Sequence, residues 1–586
     1  MQDKKDKIRE NEIIKSQELR SIHRAQLLSL VWILFALVII LRAGYIQIIK
    51  HSYYTDLGDK QYVSRVNTGF DRGSILFSHY KGEPIPAGVL ISLYRVAIDP
   101  TVIKDKEDVY KKLSERITLD KSSFMEKASK LNDPYEEIAK DIKEEDVNYL
   151  KFFKLKGVIF IKDNKRFYPQ DTIGAKILGF VGNNGSTVRG QYGIEKYYND
   201  VLSRGDSGRS VNFFAELFAN IEQESVSNND KQEGDIILTI DGEAERVLHN
   251  VLMETKIKWK SDTIAGIIMD PNTGRIIAID GLPSFNPNNF SDTKDLSAFG
   301  NQMVSGVYEM GSIIKPLTVA AGLDYGVINE NTTYVDTGCR EIAGFPVCNY
   351  DKKPRGPNTS MQTILDRSLN MGIVFIVERL GTPLFQEYFK KFGLGTETGI
   401  DLPNEAAGLT KNLTGNIFVQ SATAGFGQGI AITPIQTIRA LAAVGNGGKL
   451  VTPYVVDSII YKNGEVKKIA VDDAVQILKA DTSEKVSRML VHVVDNILSD
   501  GKMKMEHYSI AAKTGTAQIP IPGGGYYDDR YLHSFFGYFP AYDPKYIIFL
   551  FHTNPKGAQY ASATLTEPFF KLVKFLISYY EVPPDR

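Results

Sequence analysis

An uncharged apolar run, from Ala25 to Leu41, lies close to the N-terminus of the 586-residue chain. With flanking residues from the segment RAGYIQIIK that follows, it reaches the roughly 20 residues that a helix needs to cross the hydrocarbon core of a bilayer. We therefore predict one transmembrane helix over residues 25–47. The alternatives are a cleaved signal peptide and a buried soluble helix, and no small-residue cleavage pattern follows the run.

Basic residues outnumber acidic ones in the segment that precedes this run. Residues 1–24 contain five acidic residues and seven basic ones, which are Lys4, Lys5, Lys7, Arg9, Lys15, Arg20 and Arg24. Positive charge beside a first membrane helix favours the cytoplasmic side. We expect residues 1–24 to be a cytoplasmic tail, and the rest of the chain to lie outside the cytoplasmic membrane, attached by a single pass.

The composition of the whole chain excludes several classes of protein. Hydrophobic residues make up 43% and charged residues 24%, which is typical of soluble domains, and the length requires more than one of them. Lysine and arginine (69) balance aspartate and glutamate (70), so bulk charge gives no reason to expect a nucleic-acid partner. The two cysteines lack zinc-site spacing, and we expect neither a metal nor a cofactor.

The predicted elements divide the exported part into two regions. A polar linker at residues 225–234 (SVSNNDKQEG) separates a mixed α/β pedestal over residues 48–230 from a domain over residues 231–586. In that second domain, Glu243 to Lys258 predicts a helix, and Ala265 to Met269 predicts a strand that turns into Arg275 to Ile279. We expect an α+β plan, with an antiparallel sheet flanked by helices.

The segment YEMGSIIKPLTVAAGL places Ser312 and Lys315 three residues apart at the start of a predicted helix. Residues at i and i+3 share one face of a helix, so the amine can approach the hydroxyl. Pro316 is compatible with the first turn, where N–H groups have no intrahelical partner. Burial among apolar neighbours there would lower the pKa of Lys315, and we therefore expect this lysine to accept the proton of Ser312.

The spacing of Ser312 and Lys315 is common in helices, and two further motifs are needed before it indicates a catalytic site. Ser368-Leu369-Asn370 lies 56 residues after Ser312, and Lys513-Thr514-Gly515-Thr516 lies 145 residues after Ser368. The three elements, in this order, resemble those of penicillin-binding proteins and class A β-lactamases. A solvated serine and lysine pair is the better interpretation only if the first motif is taken alone.

The resemblance to penicillin-binding transpeptidases extends over almost all of residues 235–586. It rests on the segments YEMGSIIKP, RSLNMG, GFGQGIAITPIQ, AAKTGTA and SFFGYFPAYDPKY. Upstream, DRGSI at residues 71–75, RFYPQDTIGAKILGFVG, and Gly193-Ile194-Glu195 are similar to the pedestal or dimerisation domain of class B, monofunctional members. The resemblance implies a D,D-transpeptidase of the division or spore-specific type.

The resemblance also implies a role for each residue of the first two motifs. Ser312 would attack the penultimate D-Ala carbonyl of a peptidoglycan stem peptide and hold the peptide as an ester. Lys315 would take the serine proton. Ser368 would relay protons, and Asn370 would orient the peptide amide.

The third motif is implied to bind the substrate and stabilise charge. Lys513 would supply a positive field, Thr514 and Thr516 would meet the substrate carboxylate, and Gly515 would let the substrate backbone approach closely. Backbone N–H groups of Ser312 and Thr516 would form the oxyanion hole, a kind of group that supplies about 3 kcal/mol per donor.

Partners and rival functions follow from the same resemblance. We expect stem peptides ending in D-Ala-D-Ala as substrate, β-lactams as covalent inhibitors, and a membrane glycosyltransferase with other cell-wall synthesis proteins as partners. An elongation-type transpeptidase is the nearest alternative. A β-lactam sensor or β-lactamase with the same serine chemistry, and a scaffold whose catalysis is secondary, also stay open.

Cys339 and Cys348 lie between the first two motifs, in DTGCREIAGFPVCNYD. Outside the membrane, oxidising conditions permit disulfides. The residues Ala343-Gly344-Phe345-Pro346 between them predict a turn, so a hairpin could bring the cysteines together. We predict a Cys339–Cys348 disulfide that stiffens a loop near the cleft, with two unpaired apolar cysteines as the alternative.

Overall fold

The structure is a computed structural model that describes residues 34–39, 41–42, 44–45, 50, 70–130, 132–184, 187–204 and 233–586. It divides into two units, residues 1–69 and residues 70–586. In the first unit, residues 34–39 are helical and exposed. Among the described residues, no helix has the length and apolar character needed to cross a membrane. The predicted tail over residues 1–24 and most of the predicted anchor over residues 25–47 lie outside the described residues.

The second unit begins with the pedestal, a mixed α/β region. Its strands are β1 (Asp71–Arg72), β2 (Ile75–Ser78), β3 (Ile85–Ile98), β4 (Glu136–Lys143), β5 (Val158–Phe167), β6 (Val181–Asn184), β7 (Thr187–Gly190) and β8 (Ser203–Arg204). Its helices are α1 (Lys106–Leu113), α2 (Lys121–Lys127), α3 (Glu144–Phe152), α4 (Ala175–Leu178), α5 (Gly193–Tyr197) and α6 (Asn199–Leu202). The long strand β3 pairs antiparallel with β2, β4 and β5, and a small separate core lies between this sheet and α1 to α3.

Three pedestal segments singled out in the sequence meet at one buried carboxylate. Glu195 Oε2 accepts from Arg72 Nε at 2.5 Å, and Glu195 Oε1 accepts from Arg166 Nε at 2.6 Å. Arg72 also donates to the Glu195 carbonyl at 2.7 Å, and Arg166 donates to the Gly73 carbonyl at 2.8 Å. Burial alone raises the pKa of Glu195, but Arg166 and Arg72 outweigh it, so the pKa lies below its ordinary value. The carboxylate thus joins the first strand, β5 and α5.

The rest of the chain supplies the domain that carries the three motifs. Its strands are β9 (Gly234–Asp241), β10 (Thr263–Met269), β11 (Ile276–Leu282), β12 (Thr333–Asp336), β13 (Cys339–Ile342), β14 (Phe345–Cys348), β15 (Gly356–Ser360), β16 (Lys449–Leu450), β17 (Val456–Tyr461), β18 (Val466–Lys468), β19 (Val475–Gln476), β20 (Ala511–Pro520), β21 (Tyr526–Phe539) and β22 (Tyr546–Thr553). Its α-helices are α7 (Gly242–Trp259), α8 (Gln302–Ser305), α9 (Lys315–Tyr325), α10 (Met361–Asp366), α11 (Asn370–Leu380), α12 (Thr382–Lys391), α13 (Phe418–Ala424), α14 (Pro434–Gly445), α15 (Ala480–His492) and α16 (Ala561–Tyr579). Short 3-10 turns cover Pro287–Asp292, Leu296–Phe299, Gly311–Ile314 and Lys411–Leu413, and a π-helical turn covers Val493–Ile497.

A five-stranded antiparallel sheet, in the order β11-β10-β22-β21-β20, forms the centre of this domain. Alternate side chains of β10 face opposite sides, because successive residues of a strand point to opposite faces. Ile264 and Ile268 pack with α7 and α16, whereas Ala265 and Ile267 join the core that contains α9 and α14. The expected α+β plan is confirmed, as are the helix and the two strands predicted between residues 243 and 279.

A second sheet runs across the boundary that the sequence predicts near residue 230. Strand β9 pairs parallel with β2 of the pedestal and antiparallel with β17 of the second domain. The backbone ladder therefore continues from β3 through β2 and β9 to β17 and β18. The pedestal and the motif-bearing domain share this sheet within one compact unit.

Candidate active site

Ser312 lies in the 3-10 turn Gly311–Ile314, directly before α9. Gly311 has φ +64°, which favours glycine. A Cβ at this position would also come within 2.9 Å of the Thr516 carbonyl oxygen, so the close approach of the turn to β20 requires glycine. Ser312 is half-buried, whereas Gly311, Ile313 and Ile314 are buried, so the serine is the one residue of this turn that is partly exposed.

Lys315 is completely buried at the first position of α9. Its Nζ donates to the Ser368 carbonyl oxygen at 2.5 Å and to Ser368 Oγ at 3.1 Å. Burial, and to a lesser extent the charge of Lys513, hold the pKa of Lys315 well below its ordinary value. The structure therefore brings the first and second motifs together around an amine whose neutral form is favoured by burial.

Ser368 adopts a left-handed backbone conformation, with φ +53°. Such a conformation costs a residue other than glycine about 1–3 kcal/mol, and it persists only where the surroundings impose it. Here the Leu369 N–H donates to the Ile364 carbonyl at 3.0 Å, and Lys315 holds the Ser368 carbonyl. The sharp bend joins α10 to α11 and directs the Ser368 hydroxyl towards Lys315.

Asn370 is the first residue of α11. Its Nδ2 donates to the Cys348 carbonyl oxygen at 2.8 Å. A carbonyl only accepts hydrogen bonds, so the NH₂ end of the amide must face Cys348. The second motif is thereby tied to the cysteine hairpin.

Lys513 lies on β20 and is 4% exposed. Its Nζ donates to the Thr514 carbonyl at 3.0 Å. Burial lowers the pKa of Lys513 to about 8, although the negative charge of Asp366 acts in the opposite direction. Asp366 Oδ1 in turn accepts from Gln362 Nε2 at 2.8 Å and lies 3.1 Å from His492 Nδ1.

The remaining residues of the third motif shape the edge of the sheet. Strand β20 is the last strand of the five-stranded sheet, and it packs against the Gly311–Ile314 turn. A Cβ on Gly515 would lie 2.4 Å from Ser534 Oγ and 2.9 Å from the Met310 carbonyl, so only glycine lets β20 and the turn meet this closely. Thr514 and Thr516 are half-buried, and Thr516 Oγ1 accepts from the Ala561 N–H at 3.1 Å.

A disulfide joins Cys339 and Cys348 at the open end of the β13–β14 hairpin. The tight turn of the hairpin consists of Ala343 and Gly344, with φ +50° and φ +80°. Positive φ at both central residues matches the right-handed twist of the two strands. The hairpin contacts α11 through the Asn370 side chain.

Several polar residues at the cleft escaped the sequence interpretation. Asp366 lies two residues before Ser368 and Asn349 directly follows Cys348, but neither belongs to a motif of its own. The fold brings Asp366 near Lys513 and Asn349 to the start of α11. Glu309, three residues before Ser312, accepts from the Gly429 N–H at 3.1 Å and from the Tyr526 hydroxyl. Burial raises the pKa of Glu309. Its place within YEMGSIIKP was the only sequence signal available for it.

Comparison with known families accounts for both regions of the second unit. The family model of the penicillin-binding protein transpeptidase domain matches residues 264–573, and that of the penicillin-binding protein dimerisation domain matches residues 91–239. The first match alone covers more than half of the chain. The chain therefore belongs to the penicillin-binding protein transpeptidases. The pairing of this domain with a dimerisation domain, and the relatives described next, identify a class B member.

Two curated relatives illustrate the similarity along most of the sequence. The chain is 28% identical over 541 residues to stage V sporulation protein D of Bacillus subtilis (strain 168), covering 91% of this chain and 82% of that protein. It is 26% identical over 550 residues to peptidoglycan D,D-transpeptidase FtsI of Escherichia coli (strain K12), covering 92% of this chain and 88% of that protein.

Solved structures share the fold. Penicillin-binding protein 2X from Streptococcus thermophilus superposes with a TM-score of 0.74 at 19% identity, covering 88% of this chain and 81% of that one. Penicillin-binding protein 3 from Mycobacterium tuberculosis, solved in complex with aztreonam, has a TM-score of 0.66 at 21% identity. The match covers 88% of this chain and 98% of that one.

Proposed function

We propose that this class B penicillin-binding protein is a serine-type D,D-transpeptidase that cross-links peptidoglycan stem peptides through an ester on Ser312. The observation that carries the proposal is the convergence of three motifs on one buried lysine. Lys315, of the first motif, contacts Ser368 of the second, and the positive charge of Lys513 in the third motif lowers the pKa of Lys315. β-Lactams would inhibit the enzyme by acylating the same hydroxyl.

In the first half-reaction, Ser312 Oγ attacks the penultimate D-Ala carbonyl carbon while Lys315 Nζ takes the hydroxyl proton. Only a neutral amine can accept it, and the depressed pKa of Lys315 favours that form. The peptide C–N bond then breaks, and the terminal D-Ala amine leaves with a proton relayed through Ser368. The product is an ester between Ser312 and the donor peptide.

In the second half-reaction, the amine of a neighbouring stem peptide attacks this ester. The ester C–O bond breaks as the new amide bond forms, and one proton of the amine passes through Ser368 and Lys315 to Ser312 Oγ, which restores the hydroxyl. Backbone N–H groups of Ser312 and Thr516 serve as donors to the developing oxyanion, and fixed donors of this kind stabilise it without reorganisation. Before acylation, protonated Lys513, with the hydroxyls of Thr514 and Thr516, attracts the terminal carboxylate of the donor, which leaves with D-Ala in the first half-reaction.

The names of the relatives suggest where the enzyme acts. One is a sporulation protein, and another is the FtsI transpeptidase. We infer a role in septal or spore cell-wall synthesis rather than in elongation. We further propose that residues 25–47 anchor the protein in the cytoplasmic membrane with the N-terminus inside, and that the anchor and pedestal contact a membrane glycosyltransferase and other cell-wall synthesis proteins.

Labelling of the full-length protein in detergent with a fluorescent penicillin tests the proposal. We expect covalent labelling that maps to the peptide containing Ser312 and that disappears in Ser312→Ala. Ser305→Ala, on the exposed end of α8, is the matched control. Normal labelling of the Ser312→Ala protein contradicts the assignment of the nucleophile.

The rate at which the penicilloyl ester is lost separates the proposed activity from that of a β-lactamase. A transpeptidase should hydrolyse its penicilloyl ester slowly, because water is not its normal acceptor. Rapid turnover of penicillin would favour the lactamase alternative. Formation of cross-linked dimers from lipid-linked substrate, in the presence of a glycosyltransferase, would distinguish the enzyme from a sensor.

A further inference from the structure

The amide of Asn370 is held by a part of the chain to which no role has been assigned, the segment between Thr333 and Ser360. This segment contains the strand pair β12–β15 and the disulfide-bonded hairpin β13–β14. The last residue of the hairpin, Cys348, accepts the hydrogen bond from Asn370 Nδ2. The next residue, Asn349, contacts the same helix start at a second atom.

Asn349 replaces a missing helix cap. Helix α11 begins after Leu369, whose side chain has no oxygen to accept a hydrogen bond from the first turn. Asn349 Oδ1 accepts from the Met371 N–H at 3.1 Å instead. Two consecutive residues, Cys348 and Asn349, thus fix both the backbone and the side chain at the start of α11.

Asp336 fixes Asn349 in turn. Asn349 Nδ2 lies 3.0 Å from both carboxylate oxygens of Asp336, and the Gly338 N–H donates to Asp336 Oδ1 at 2.8 Å. Asp336 and Asn349 are each 1% exposed. Since the NH₂ end of Asn349 faces the carboxylate, its carbonyl end must face Met371, and the amide cannot flip without losing both contacts.

We propose that Asn349 and Asp336 are positioning residues, which hold the Asn370 amide in the orientation that binds the acylamino group of the donor substrate. With one N–H of Asn370 used by Cys348, its amide oxygen and second N–H are the groups left for substrate. The inference rests on the proposed function. It goes beyond it by assigning a catalytic purpose to the segment from Thr333 to Ser360.

A simple structural role is the competing explanation, and two features of the contacts argue against it. Beyond its first turn, α11 is anchored by buried side chains such as Ile373, Ile376 and Val377. Cys348 instead contacts Asn370, the last residue of the second motif, and Asn349 contacts Met371, the residue after it. Loss of these contacts should therefore affect substrate orientation more than the stability of the domain.

The test is a double-mutant cycle on the full-length protein in detergent, with acylation rates measured by competition against a fluorescent penicillin. Asn349→Ala should slow acylation by benzylpenicillin by about tenfold, since small misplacements of a positioning group have effects of this order or larger. Asn349→Ala should slow acylation by 6-aminopenicillanic acid, which lacks the acylamino carbonyl, by less than about twofold. In a protein that already carries Asn370→Ala, adding Asn349→Ala should not slow acylation by benzylpenicillin any further, because both changes remove the same interaction.

A swapped pair provides the second arm. Asn349→Asp places a second carboxylate against Asp336 and should slow acylation, and adding Asp336→Asn restores one donor and one acceptor and should recover most of the rate. Asn331→Ala, at an exposed position just before β12, is the control and should have no effect.

Equal slowing of both β-lactams by Asn349→Ala, or an effect additive with Asn370→Ala, overturns the inference while leaving the proposed function intact. If Asn349→Ala does not fold, a folded swapped pair that stays slow also overturns it. Failure of the unaltered protein to label at Ser312 would overturn the proposed function, and this inference with it.

Discussion

Lys315 Nζ donates to the Ser368 carbonyl oxygen at 2.5 Å and to Ser368 Oγ at 3.1 Å. Both acceptors are neutral groups, so these contacts bring no opposite charge to compensate the burial of the ammonium form. The neighbouring charge of Lys513 disfavours that form further. The residue that these contacts hold, Ser368, has a left-handed backbone conformation with φ +53°. The proposed proton acceptor therefore also contacts the backbone and the side chain of the second motif.

The first prediction concerns the proton acceptor. Lys315→Arg keeps the positive charge but should reduce the acylation rate by about 10²-fold or more, because a guanidinium does not deprotonate in proteins. Labelling with fluorescent penicillin measures the rate, and the melting temperature checks that the larger side chain is accommodated. Near-normal acylation by a folded Lys315→Arg protein contradicts the role of Lys315 as base.

The second prediction is a fall in acylation rate at alkaline pH. The pKa of Lys513 is about 8 in the folded protein, so its positive charge is present below that pH and lost above it. Acylation that depends on this charge should decrease as the pH rises through about 8. In Lys513→Arg, whatever its absolute acylation rate, the fall in that rate should move to higher pH, because arginine stays charged. A rate that is flat from pH 7 to pH 10 in the unaltered protein contradicts the prediction.

The third prediction assigns part of this pH dependence to Asp366. Its negative charge raises the pKa of Lys513 against the effect of burial. Asp366→Asn should therefore move the alkaline fall in acylation to lower pH. Asp473→Asn, at an exposed position, serves as the control and should leave the profile unchanged. An unmoved or upward-shifted profile in Asp366→Asn shows that Asp366 does not support the charge of Lys513.

The sequence predicts those features that depend on local pattern. Two short apolar runs joined by the turn residues Pro271-Asn272-Thr273-Gly274 predict β10 and β11, and the spacing of Ser312 and Lys315 matches the period of a helix. The hydrogen bond of Asn349 to Met371 and the effect of Asp366 on Lys513 arise only when segments distant in sequence fold together. No local sequence pattern predicts them. The same limit applies to the sheet across residue 230: Ile75 and Ile236 are paired in parallel strands, and a polar linker gives no indication of such pairing.

The fourth prediction concerns the disulfide of the β13–β14 hairpin. Thiol counting on unreduced, denatured protein should find no free thiol, because Cys339 and Cys348 are bonded. In the chain-entropy model, a loop this short contributes no more than about 3 kcal/mol. Cys339→Ala with Cys348→Ala should therefore leave the domain folded and increase hydrogen exchange in the hairpin first. Two free thiols in protein taken from the exported side contradict the bond.

The last prediction concerns the buried carboxylate of the pedestal, Glu195. Glu195→Gln keeps the shape of the side chain but leaves Arg72 and Arg166 as uncompensated buried charges, and breaking a buried ion pair in this way costs about 3–5 kcal/mol. We expect a clear drop in melting temperature, whereas Glu397→Gln, at an exposed position, should have none.

The acid sensitivity of the pedestal gives Glu195 a second readout. Because its folded pKa lies below the ordinary 4.5, its stabilising contribution is present above about pH 4.5 and is lost as the pH falls through the folded pKa. Glu195→Gln should remove this part of the acid dependence. Below its melting temperature, the variant should still label at Ser312, because the carboxylate lies in the pedestal rather than in the cleft. A melting curve that is unchanged at neutral pH would show that the ion triad does not stabilise the pedestal.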